Sequence, residues 1–313
     1  MNIYLAALRT AIDASVVVLL ASIGEMLAER VGVLNLGQEG LIGIGAAAAV
    51  IAATEIESPW ICLLIGALAA AVVGLLFATS VVVVRANQVL CGLAVALGGV
   101  GLANQLGNGR QGSPVAHVFE PVDPPFLGDL GDVGEALFVH DLVVYLTYLV
   151  LPAVAWFVLF RTRHGMNMRS VGENPAAADA AGISVTGMRM GYAVLGAALS
   201  GAGGAYLMLA FTPVWAENVA RGRGWVALAV VIFAAWRPWL LVLGSLLYGA
   251  MTSLEFIAQA EGWDIPSFVL AMLPYLVTLV LILLTATAAK LGRRTRGTMA
   301  PAALGQAWFR EER

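Results

Sequence analysis

Apolar runs without a charge punctuate this chain from end to end. Residues 58–84, 86–109, 142–160, 190–216 and 265–289 contain no Asp, Glu, Lys or Arg. Each covers the roughly 20 residues that a helix needs to cross a hydrocarbon core. The run 238–254 becomes a sixth span with Glu255 near its end, and 8–28 is apolar apart from Arg9, Asp13 and Glu25. Two shorter runs, 40–54 and 224–236, are charge-free but marginal in length. The pattern predicts an all-α polytopic membrane protein of about nine transmembrane helices, with eight to ten allowed.

The two short runs open alike. Asn35-Leu-Gly-Gln-Glu-Gly40 precedes the first and Glu217-Asn-Val-Ala-Arg-Gly-Arg-Gly224 the second. Polar, glycine-broken backbone survives at membrane depth only where it is buried in protein or lines a wet cavity. Interrupted segments at matching places in two halves point to a substrate path between inverted repeats. The halves expected here are about 8–109 and 190–289, within a single transmembrane domain over 1–290, followed by a tail over 291–313.

Composition agrees, with 60% hydrophobic residues, 12% charged and a mean hydropathy of +0.87. Soluble domains carry about a quarter charged residues. The net charge is −3 and the arginines form no stripe, which argues against nucleic-acid binding. Charge placement sets an orientation. Arg161, Arg163, Arg169 and Arg189 border the loop 162–189, and Lys290, Arg293, Arg294 and Arg296 lie in the tail, so both belong in the cytoplasm. The acidic stretch 107–139, with Glu120, Asp123, Asp129, Asp132 and Glu135 against Arg110, belongs outside. Nine crossings with the N-terminus out and the C-terminus in satisfy all three, although Arg221 and Arg223 then fall outside, against the rule.

Little enzymatic chemistry is written here. Cys62 and Cys91 lie in apolar runs and read as small buried hydrophobes, and His117, His140 and His164 have no ligand spacing. No metal or other cofactor is expected. No phosphate-cradling Gly-x-x-x-x-Gly-Lys-Ser/Thr occurs, and the one lysine is Lys290, so ATP hydrolysis would need a separate subunit. Without a basic n-region, a short h-region and a small-residue cleavage site at the start, no removed signal peptide is expected.

Polar residues in hydrocarbon are costly and mark pathways by default. Asn35, Gln38 and Glu39 at the first break, Asn87 and Gln88 at the start of a span, and Glu217 and Asn218 at the second break are the candidates. Carboxamides both donate and accept, as hydroxyls and base edges require. The competing reading, strongest for Asn87, Gln88 and the Glu29-Arg30 pair, is that they cap helices or bond neighbouring ones. Within the basic loop, Glu173-Asn174-Pro175 followed by alanines predicts a short helix. Asn174 is its cap, Pro175 its first position, Ala177 and Asp179 lie in its body, and Gly182 is its stop. The tail, with Trp308-Phe309, reads as a solvated or interfacial extension.

The segments 24–46, 171–185, 222–238 and 265–280 resemble the permease subunits of bacterial ABC importers serving branched-chain amino acids, simple sugars and nucleosides. Glu-Arg-x-Gly-x-x-Asn at 29–35 and Met-Leu-Pro-Tyr at 272–275 look most like the nucleoside branch. The likeness runs in order from about residue 10 to 290, with Gln38 standing where many relatives carry a small or apolar residue. It implies a vitamin-B12-type importer fold in the bacterial inner membrane. It also implies a cytoplasmic ABC ATPase docked on residues 163–188, with Glu173, Asn174, Pro175, Ala177, Asp179 and Gly182 in the coupling helix, a second homologous permease and an extracytoplasmic solute-binding lipoprotein. The function so implied is inward movement of nucleosides by alternating access. A simple sugar or a branched-chain amino acid is the alternative substrate, and an ion-coupled secondary transporter the alternative class.

Overall fold

Every long apolar run of the sequence is helical in the computed structural model, which describes residues 2–125, 131–290 and 300–309. Helices α1 (Ile3–Arg30), α2 (Gln38–Ala52), α3 (Pro59–Ala78) and α4 (Gln88–Leu106) make the first half. Short helices α5 (Asp132–Phe138) and α6 (Leu142–Tyr145) lead into α7 (Leu151–Arg161), then α8 (Arg163–Glu173) and α9 (Pro175–Ala180). The second half holds α10 (Val185–Tyr206), α11 (Arg223–Phe233), α12 (Pro238–Ala260) and α13 (Ser267–Lys290). Single π-turns extend α3 through Val83 and α10 through Phe211, and another joins α6 to α7. Among the described residues, β-pairing is limited to two isolated bridges, Pro114 with Val214 and Val122 with His140.

Proline and short polar side chains set the helix starts. Pro59 and Pro238 occupy first positions, where their missing N–H costs nothing. Asp141 accepts from the N–H groups of Val143 and Val144 and so caps α6. Helix α1 is buried from Ala14 to Arg30 on every side, as suits a helix apolar all round. It is wrapped by α10, α11 and α12, while α3 and α4 turn Leu64, Leu68, Leu76, Leu90 and Leu97 outward. A water-soluble surface does not tolerate rows of that size, and lipid does.

Glycine lets the inner helices touch backbone to backbone. A Cβ on Gly45 would stand 2.1 Å from the Gly201 carbonyl oxygen, and one on Gly204 would stand 1.9 Å from that of Ile42. Close approach of this kind is how helices associate where hydrocarbon supplies no hydrophobic drive.

Six helical runs are long and apolar enough to cross a membrane, and α13 adds 24 residues, so the protein is a multi-pass α-helical membrane protein. The two marginal runs are half-length. Helix α2 has 15 residues and α11 has 11, roughly 22 and 16 Å at 1.5 Å per residue, against a core of about 30 Å. Both begin midway through the bundle. Gly40 presses on Val95 and Gly99 in the middle of α4, and Gln38 bonds Ser200 in the middle of α10. Gly224, in the first turn of α11, lies against Glu39. Trp236, just past the end of α11, reaches Glu29 and Arg30 at the end of α1.

The tail departs from the expected solvated extension. Residues 301–308 pack onto the chain, with Ala303 buried and Leu304 and Trp308 against the core. The tail offers its backbone groups, which meet backbone at Gly172 and Gly32 (Ala303 N–H to Gly172 C=O at 2.9 Å) and side chains at Glu173, Arg189 and Gln88. Arg293, Arg294, Arg296 and Asp129, used for orientation, lie outside the described residues.

Candidate functional site

The two breaks read from the sequence meet each other. Glu39, in the first turn of α2, accepts from Gly222 N–H at 2.6 Å through one carboxylate oxygen and from Gly224 N–H at 2.9 Å through the other. These are N–H groups at the start of α11, which have no partner within their own helix. An acid there also answers the positive end of the helix dipole. One half-helix therefore caps the other.

Backbone strain surrounds this contact. Asn218 and Arg221 hold positive φ values of 53° and 46°, and Gly222 one of 81°. A left-handed non-glycine residue costs roughly 1–2 kcal/mol and persists where surrounding bonds hold it. Asn104 of α4 supplies two of them, accepting from Asn218 N–H at 3.0 Å while its amide donates to the Asn218 side chain at 3.2 Å. Tyr275 of α13 donates to the Arg221 carbonyl at 3.0 Å. Glu217, Asn218 and Tyr275 are exposed, and Glu39 and Asn104 half-buried, so the cluster has an open side.

Behind Glu39 lies a closed polar knot. Glu25 of α1, 0% exposed, accepts from Asn35 N–H at 2.8 Å with one oxygen and from the Gln38 amide with the other. Gln38 in turn accepts from the Ser200 hydroxyl, and Asn35 accepts from Gly37 N–H at 2.9 Å. Neutral donors rather than a cation meet the Glu25 carboxyl group, with the buried Glu29 one turn further along α1, and the knot fixes the chain reversal between α1 and α2. Asn35 and Gln38 are 1% and 0% exposed. They hold the break in place, and the open face belongs to Glu39.

The remaining candidates lie outside the Glu39 cluster. Asn87 caps α4 by accepting from Leu90 N–H at 3.1 Å. Gln88 accepts from Leu34 N–H at 2.7 Å. Glu29 takes the Trp236 indole N–H, and Arg30 donates to the Trp236 carbonyl at 2.8 Å, so that pair ties α1 to the end of α11. Arg223 folds back on its own turn, donating to Val219 and Ala220 carbonyls.

The expected loop helix forms with the expected cap and stop. Asn174 Oδ1 accepts from Ala177 N–H at 3.0 Å, Pro175 stands first, and Gly182 takes φ 82°. Ala178 is buried while Ala176, Ala177 and Ala180 face outward, a smooth surface without long side chains. Beside it, α8 and the start of α10 enclose an open groove of about 970 Å³ lined by His164, Asn167, Ser170, Met188 and Tyr192.

Sequence reasoning missed Glu25, Asn104 and Tyr275 as site residues. It also assigned nothing to His140, which is 2% exposed and places Nδ1 2.8 Å from Asp13, next to the Asp141–Tyr206 hydrogen bond at 3.0 Å. Among the described residues no group of three His, Cys, Asp or Glu is placed to hold a metal ion.

Residues 7–294 match the family model for the branched-chain amino acid transport system permease component. The chain belongs to this permease family. The nucleoside ABC transporter permease protein NupC of Lactococcus lactis is 34% identical over 274 residues, covering 84% of this chain and 86% of that one. The guanosine ABC transporter permease protein NupQ of Bacillus subtilis is 31% identical over 274 residues, covering 84% and 86%. A putative glucose ABC transporter permease protein, TsgC13 of Haloferax volcanii, is 34% identical over 256 residues, covering 81% and 78%. No solved structure matches the permease.

Proposed function

We propose that this permease is the transmembrane subunit of an ABC importer and moves nucleosides inward by alternating access at the meeting point of α2 and α11. The observation that carries the path is the Glu39 cap on Gly222 and Gly224, with Asn104, Asn218 and Tyr275 on its open side. Half-helices meeting at mid-depth suit a moving element, because each can tilt without breaking a full-length span. Asn35 and Gln38 act through the knot that holds α2, and Glu217 lies at the mouth. Asn87 and Gln88 work further off, at the start of α4.

The chemistry favours a neutral solute. A carboxylate-bearing amino acid would seek a helix N-terminus or a free guanidinium. Here Glu39 already occupies the α11 N-terminus and Arg223 is turned onto its own carbonyls, so the cation left to an anionic solute is Arg221, on the exposed rim of the loop rather than at the Glu39 cap. Carboxamides and a phenol ring instead suit hydroxyls and a flat base. The nucleoside names of two relatives support that reading, and the glucose name of the third supports a sugar as the second reading.

Energy comes from an ATPase docked on α9, with a second permease beside this one and a binding lipoprotein delivering solute outside. The N-terminus lies outside and the C-terminus in the cytoplasm, across nine passes that count α2 and α11 with their extended approaches. Competition for uptake of labelled guanosine in cells tests the substrate. Unlabelled nucleosides are expected to compete with parental protein and to lose potency with Asn104→Ala and Asn218→Ala. Competition by glucose alone would transfer the assignment to sugars.

A further inference from the structure

Residues 300–309 are the part of the chain that the transport path leaves unexplained, and their contacts fall into two groups. One group lies at the end of α8, directly before the α9 cap. Ala303 N–H donates to the Gly172 carbonyl at 2.9 Å, and Ala302 N–H to the Glu173 carboxylate at 3.4 Å. The other group lies on the approach to α2. Gly305 N–H donates to the Gly32 carbonyl at 3.3 Å. Arg189 donates from Nε to the Val31 carbonyl at 3.1 Å and from Nη1 to the Gln306 carbonyl at 2.9 Å, clamping the tail and the α1–α2 loop together. Gln88, which holds Leu34 N–H, places its amide 3.5 Å from that same Gln306 carbonyl.

Between the two groups the chain is a hydrogen-bonded turn, with Leu304 N–H to Pro301 C=O at 3.0 Å and Gln306 N–H to Ala303 C=O at 3.2 Å. A closed turn with a buried alanine transmits displacement, whereas a slack strand would absorb it. Further along, Trp308 packs on the core and Phe309 lies under the Arg85 guanidinium at 4.7 Å.

We propose that residues 300–309 are a mechanical tie between the ATPase-docking helix and the loop that carries Asn35, Gln38 and Glu39. Motion imposed on α9 reaches the end of α8, passes through the turn to Gly32, Val31 and Leu34, and so moves the start of α2. Direct packing of Gly172 on the Arg30 carbonyl offers a parallel route, and the tail stiffens it. The inference rests on the importer reading above. Its physical content is a contiguous chain of bonds between two sites, and the coupling itself is what the following measurement reads.

The test uses the complete transporter in proteoliposomes, with ATPase and binding protein, and compares the parental chain, a chain ended after Ala300, and full-length Ala303→Trp. Labelled guanosine taken up per ATP hydrolysed is the readout. Both variants are expected to insert, to co-purify with the ATPase and to hydrolyse ATP, while uptake per ATP falls about tenfold, the size of a typical coupling energy. An unchanged ratio in Ala303→Trp would overturn the tie. Loss of assembly in both variants would overturn it too, leaving the tail as a purely structural contact. Absence of ATP-driven uptake by the parental complex would instead sink the importer reading, so the two failures are distinguishable.

Discussion

Replacing Glu39 with alanine removes one side chain and leaves two buried-end N–H groups, those of Gly222 and Gly224, without their acceptor. Hydrogen bonds to a charged group contribute about 1.5–3 kcal/mol each. Glu39 is only half-buried, so the lower figure applies and the pair amounts to roughly 3 kcal/mol. In the alternating access proposed above, α2 and α11 shift against each other, so this energy weighs on one end state of the cycle. At 1.4 kcal/mol per tenfold, its loss displaces the equilibrium about a hundredfold. Labelled-guanosine uptake in cells, alongside thermal unfolding of the detergent-purified chain, measures both consequences. Glu39→Ala is expected to abolish most uptake and lower the unfolding midpoint. Glu39→Gln is expected to fall between, since its single carbonyl oxygen serves one N–H where the carboxylate serves two. Parental uptake together with a parental midpoint in Glu39→Ala would refute the capping argument.

Other outcomes follow from separate features. Ala177→Gly weakens α9 by about 1 kcal/mol and Asp179→Arg reverses a charge beside its outward face, so the double variant is expected to insert normally yet lose ATPase co-purification and uptake. Normal uptake would leave α9 an ordinary loop helix. Cysteines placed at Ser113 and at Ala180 are expected to label from opposite sides of the membrane, and labelling of both by an impermeant reagent in intact cells would contradict the orientation. Gly204→Val puts a side chain where the Ile42 carbonyl lies 1.9 Å from the ideal Cβ. Loss of the folded, monodisperse protein is expected, and a normal gel-filtration profile would show that α2 and α10 can separate freely.

What the sequence makes legible and what it hides differ in range. The spans show because charge is expensive in hydrocarbon, and α9 shows because Asn174, Pro175 and Gly182 act within a few residues of one another. Both breaks were visible as polar, glycine-rich interruptions, but not the bond that joins them, since Glu39 and Gly222 are distant in the chain. Asn104 was hidden for the same reason, its partner Asn218 lying 114 residues away. Glu25 could have been flagged, as an acid inside the apolar run 8–28, yet its partners Asn35 and Gln38 belong to a chain reversal that hydrophobicity does not encode. The packed tail escaped because what it offers to its partners, Glu173, Arg189 and Gln88 among them, is backbone N–H and C=O, which every sequence carries alike.

In the proposed function this permease moves a nucleoside on energy from ATP. Its reconstitution in liposomes with the proposed ATPase, second permease and binding protein, following labelled guanosine with ATP on the ATPase side, is the decisive measurement. Accumulation that requires ATP and is indifferent to proton and sodium gradients is the result expected. Accumulation by the permease alone under an ion gradient, without ATP, would contradict it.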